Sequence, residues 1–108
     1  MTGGYDMQDL LNLISIESAE RLVLHVGKPP VVYLRGDEHL IEGPHVTQES
    51  AVELFQSLAT PDQIRELNAR GDIHFIYASP KAAKFGVAAQ VEHDHISLEI
   101  RNLAAPAD

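Results

Sequence analysis

The chain is written in two rhythms. Apolar residues first fall at helical spacing in Met7, Leu10, Leu11, Leu13 and Ile14, in a run without Gly or Pro that follows Asp6, a good N-cap. This predicts a helix from Met7 to Glu17. From Arg21 to Val26 the period becomes two, with Leu22, Leu24 and Val26 on one side and Arg21, Val23 and His25 on the other. That alternation predicts a half-buried strand, and Gly27-Lys28-Pro29-Pro30 breaks it, because consecutive prolines supply no amide donors. A second strand is expected over Val31 to Arg35, then a tight turn at Gly36-Asp37 and a short strand around His39 to Ile41, closed by Gly43-Pro44.

Helical spacing returns at Thr47, which caps a predicted helix from Gln48 to Ala59 whose inner stripe is Ala51, Leu54, Phe55 and Leu58. Thr60, Pro61 and Gln63 then read as the cap, first residue and capping-box partner of a third helix, ended by Gly71 and anchored by Ile64 and Leu67. The final third alternates strictly: Ile73, Phe75 and Tyr77; Phe85, Val87, Ala89 and Val91; Ile96, Leu98 and Ile100. Turns are expected at Ser79-Pro80 and His93-Asp94. The predicted order is α-β-β-β-α-α-β-β-β, an α+β domain with an antiparallel sheet of about six strands and its helices on one face. One domain over residues 6–103 is expected, with 104–108 as a linker-like tail.

Composition sharpens this picture mainly by exclusion. A length of 108 residues suits one core, and 44% apolar with 22% charged residues is ordinary globular usage. Without cysteine there is neither a disulfide nor a thiolate metal site, which fits a reducing compartment, so a cytoplasmic location is expected. No stretch approaches the roughly 20 apolar residues of a membrane span, and direct membrane insertion is not expected. A net charge of −8 repels phosphate backbones, which argues against nucleic acid and leaves a protein partner or an uncharged ligand.

Candidate chemistry is sparse. His93-Asp94-His95 on an extended backbone would aim two imidazoles to one side, with Glu92 as a third ligand. In a hairpin the same residues are solvated turn residues, and no metal is expected. His25 and His74 are expected on the outer sheet face. No serine sits in a nucleophile elbow, and Asp37-Glu38 or Glu49 with Glu53 are placed as surface carboxylates usually are. Neither catalysis nor a cofactor is expected.

The segment from Leu22 through Gly27-Lys28-Pro29-Pro30 to Gly36, followed by Asp72 opening a strand and by Lys84-Phe85-Gly86-Val87, resembles the N-terminal domain of the PilT family of pilus-retraction ATPases and their type II secretion relatives. The shared pattern is roughly S-D-L-H-L-x-x-G-x-P-P-x-x-R-x-x-G, and the resemblance spans Met7 to Leu103. It implies a PAS-like domain that in those proteins precedes a nucleotide-binding core. This sequence contains no G-x-x-x-x-G-K-[ST], and Gly27-Lys28 runs into Pro29 where a magnesium-binding hydroxyl would be needed. The family's D-L-H-L falls on Arg21-Leu22-Val23-Leu24, its Arg after the prolines on Tyr33, and its R-F-R-V-N on Lys84-Phe85-Gly86-Val87-Ala88. Apolar positions are kept and nucleotide-facing ones are lost, since Lys keeps charge without the guanidinium fork and Gly keeps neither. The resemblance therefore implies a degenerate, non-catalytic accessory or regulatory domain that works by protein contact. Its partner would be a pilus or secretion ATPase or a copy of itself. Gly27, Lys28, Pro29 and Pro30 either simply turn the chain or form a docking ridge, helped by Tyr33, Arg35 and Lys84. The alternatives are a small-molecule sensor with its ligand between sheet and helices, and the excised N-terminal domain of a longer ATPase.

Overall fold

The computed structural model describes residues 6–78 and 84–103. Helix α1 (Met7–Glu17) starts at Asp6, whose carboxylate accepts the Gln8 N–H at 2.9 Å, and ends at Ser18 in the left-handed region. Strands β1 (Arg21–His25), β2 (Val31–Leu34) and β3 (Asp37–Leu40) follow. Helix α2 (Gln48–Gln56) is capped by Thr47, and α3 (Pro61–Arg70) by Thr60 with Gln63. Strands β4 (Asp72–Ala78), β5 (Lys84–Glu92) and β6 (His95–Asn102) complete the chain.

Six strands form one antiparallel sheet in the order β3-β2-β1-β6-β5-β4. Two meanders thus meet along β1 and β6, which pair from Arg21–Arg101 to His25–Ser97. The expected element order and fold class are those observed. The inner residues of the strands, Leu22, Leu24, Val32, Ile73, Phe85, Val87, Ala89, Ile96, Leu98 and Ile100, join one core with Met7, Leu10, Leu11 and Ile14 of α1, Ala51, Leu54 and Phe55 of α2, and Leu67 of α3. Phe55 meets Phe75 edge to face, with centroids 6.2 Å apart. Gln48 Oε1 accepts the Ile96 N–H at 3.0 Å and ties the start of α2 to β6.

Several boundaries move, each for a local reason. The β2–β3 hairpin turns at Arg35-Gly36, not Gly36-Asp37: Leu34 pairs with Asp37, and both turn residues have positive φ (53° and 84°), the two-residue geometry that matches strand twist. This pulls β3 back to Asp37–Leu40. Val26 leaves β1 because Gly27 turns at φ 89°. Helix α2 ends three residues before Ala59, as Ser57 Oγ donates to the Leu54 carbonyl at 2.7 Å and the chain tightens toward Thr60. Thr47 also gains a capping-box partner, Ser50, that the sequence pattern had not suggested. Val91 is 40% exposed although it lies on the inner side, whereas Ile96 opposite it is buried. The Ser79-Pro80 turn and the 104–108 tail lie outside the described residues.

Candidate interaction face

All three helices contribute to the core on one side of the sheet, and among the described residues no element covers the other. Ladder register fixes what stands there. One row crosses the sheet as Leu40, Val31, Val23, Glu99, Ala88 and His74; the next as Glu38, Tyr33, Arg21, Arg101, Gly86 and Ile76; a third holds His25, Ser97, Gln90 and Asp72.

The second row places Arg21 directly opposite Arg101, a like-charge pair that would destabilise the ladder by itself. Glu99, one pleat along β6, resolves it: its Oε2 accepts from Arg21 Nη1 and from Arg101 Nε, both at 3.2 Å. Arg21 also lies over the Tyr33 ring, 4.2 Å from its centroid. Exposed pairs of this kind contribute about 0.2–1 kcal/mol each, so the cluster orients side chains more than it stabilises the fold. Tyr33 Oη donates to Glu38 Oε2 at 3.0 Å, and this hydrogen bond to a carboxylate is the main reason its pKa is raised above that of a free phenol. Glu20 Oε1 accepts the Gly36 N–H at 2.6 Å and holds the turn against the same cluster.

Small residues make the face concave. Gly86 and Ala88 floor a trough of about 560 Å³, walled by His74 and Ile76 on one side and Glu99 and Arg101 on the other. Ile76 is 66% exposed, and Leu103 lies within van der Waals reach of a Cβ placed on Gly86. A second hollow of about 380 Å³ continues over Val23, His25, Ser97 and Gln90, where Ser97 Oγ is 3.1 Å from His25 Nδ1. A third, near 290 Å³, lies among Glu20, Arg21, Tyr33 and Arg101. Chemically the face offers an apolar trough beside a partly neutralised arginine pair, a surface suited to an apolar ridge flanked by polar groups.

The residues singled out from sequence do not form one patch. Tyr33 stands in the second row, while Arg35, in the turn after β2, and Lys84, at the start of β5, lie at the same end of the sheet. Gly27 to Pro30 precede β2 and belong to the opposite end, beside the His93-Asp94 turn. Pro30 does not project as part of a ridge: it is fully buried. The loop is stitched down by Gly27 N–H to the Val46 carbonyl (2.7 Å), Val46 N–H to the Lys28 carbonyl (2.8 Å) and Ile41 N–H to the Pro30 carbonyl (2.9 Å). Gly27 and Lys28 are exposed and Pro29 half-buried. His93 and Asp94 have φ of 54° and 65°, so the backbone there is not extended and the two-imidazole alignment does not form. Among the described residues no three metal-ligating side chains converge.

Sequence reasoning missed Arg101, Glu99 and the Gly86–Ala88 floor as site elements. The available signal was the outward parity of each strand, in which small residues at successive outward positions predict a hollow.

No family model matches the sequence, and no curated protein sequence does. The fold itself is found in larger ATPases of known structure. It is similar to part of a crystal structure of the pilus retraction motor PilT with bound ADP, with a TM-score of 0.83 and 18% identity, over 96% of this chain and 31% of that one. It is also similar to the ATPase DotB of Legionella pneumophila (TM-score 0.74, 17% identity, 94% of this chain and 30% of that one). DotB of Yersinia pseudotuberculosis gives a TM-score of 0.67 at 10% identity, over 94% and 31%. The chain thus spans under a third of the length of these proteins, and the likeness at such identities is one of fold.

Proposed function

We propose that this chain is a non-catalytic accessory domain that binds a protein through the open face of its sheet, in the manner of an N-terminal domain of pilus-retraction and type II secretion ATPases, in the cytoplasm. The observation that carries the reading is the uncovered six-stranded face, with an apolar trough on Gly86 and Ala88 beside the Arg21–Glu99–Arg101 cluster. Tyr33, Arg35 and Lys84 extend that surface at one end. Gly27, Lys28 and Pro29 form a separate contact at the other, with Pro30 anchoring the loop from inside.

The lack of a phosphate loop in the sequence supports a non-catalytic role. Among the described residues no polar or charged residue is buried, so the helix-covered core offers nothing to orient a ligand, which favours the contact reading over a sensor.

Site-specific photocrosslinking in the source cells tests this. A photoreactive residue at Ala88, on the open face, should crosslink to a pilus or secretion ATPase, and one at Asn68, exposed on α3, should not. A crosslink to such an ATPase from Asn68 alone, or from neither position, would overturn the reading.

A further inference from the structure

The two edges of the sheet are built differently. Strand β3 is short and carries Asp37, Glu38 and His39, the charged and polar residues that discourage strand addition. Strand β4 is longer, and after Asp72 it runs Ile73-His74-Phe75-Ile76-Tyr77-Ala78, with no charged carboxylate or ammonium, no proline and strong β formers throughout. Among the described residues no strand pairs with its outer side.

The phase of the ladder identifies which groups face outward. Gly71 accepts the Val91 N–H at 2.8 Å, and the register continues Asp72–Gln90 and Ile73–Ala89. Bonded and non-bonded pairs alternate in antiparallel sheets, so Ile73, Phe75 and Tyr77 turn their amides and carbonyls to β5. Asp72, His74, Ile76 and Ala78 turn theirs to the free edge.

We propose that β4 pairs antiparallel with β4 of a second copy of this chain, about a two-fold axis at Phe75. That register sets Asp72 against Ala78 and His74 against Ile76, and each of these is a pair of outward-facing residues that can exchange both hydrogen bonds. No like charges face each other, because Asp72 meets an alanine. On the open face Ile76 of one copy meets His74 of the other, so each copy adds an apolar side chain to the wall of its neighbour's trough and covers a residue that is 66% exposed in the single chain. The pairing rests on the edge alone and is independent of any ATPase partner.

The test is sedimentation velocity and amide hydrogen exchange on the purified chain from about 10 µM to about 1 mM, the range of weak association. The sedimentation coefficient should rise with concentration. The His74 and Ile76 amides should gain at least about tenfold protection over the same range, while those of β3 stay unchanged. Ile76→Lys, on an exposed site that leaves the fold intact by circular dichroism, should weaken dimerisation about tenfold or more. A monomer at every concentration with freely exchanging His74 and Ile76 amides overturns the proposal. So does a dimer whose dissociation constant is unmoved by Ile76→Lys, because its interface then lies elsewhere.

Discussion

The two faces of this sheet share one backbone and one register, yet they do different work. On the inner face Leu22, Ile100 and Val87 follow one another across three strands at 0–2% exposure. One pleat away Arg21, Arg101 and Gly86 cross the same strands in contact with water. The inner row fills the core, and the outer row stands at the solvent-facing side. The source of stability and the proposed contact surface are therefore separable here, residue by residue along a single strand.

The largest expected contrast lies between neighbours. Leu98 is 1% exposed in the centre of the core, and Leu98→Ala should lower the unfolding free energy by about 2–5 kcal/mol in urea titrations. Ser97→Ala, on the open face, removes only a partly exposed contact with His25 and should change it by about 0.5 kcal/mol or less. Comparable losses at the two positions would mean that the outer face is covered in the isolated chain.

Gly86→Ala sharpens the comparison from the other side. An added Cβ meets Leu103 Cδ2 at 3.6 Å and Arg101 Cβ at 3.9 Å, ordinary contact distances. Replacing glycine in a strand should stabilise by about 0.4–1 kcal/mol through the unfolded chain. The same methyl fills the floor of the trough, so the melting temperature should rise while crosslinking from Ala88 falls. A variant that melts higher and crosslinks as before would remove the trough from the contact surface.

The smallest effect belongs to Tyr33. Its phenol is held protonated by Glu38, so its folded pKa is raised, and the hydrogen bond's contribution to stability is present below the ordinary phenol pKa and lost as pH rises through the raised one. Glu38→Gln should bring the Tyr33 midpoint, followed by the ring carbon shift in NMR, back toward the value of a free phenol. An unmoved midpoint would place the cause of the shift outside this pair.

Much of this was legible in the order of residues, because it depends on interactions within a few positions. Helix starts were readable at Asp6, Thr47 and Thr60, since a cap satisfies amides two or three residues on. Strand faces were readable from period two, and so was the inner set that became the core. Exact turn positions were less so: Arg35 and His93 adopt positive φ because strand pairing on both sides demands it, against their own preference.

The arrangement of the face was decided only when the two meanders joined along β1 and β6. Arg21 and Arg101 are 80 positions apart in the chain, and nothing local makes them neighbours or places Glu99 between their guanidinium groups. Burial of Pro30 was likewise settled at a distance, by Val46 and Ile41 folding back on the Gly27–Pro30 loop. Local rules fix which way a side chain points from its own strand. Only the sheet order determines what stands beside it.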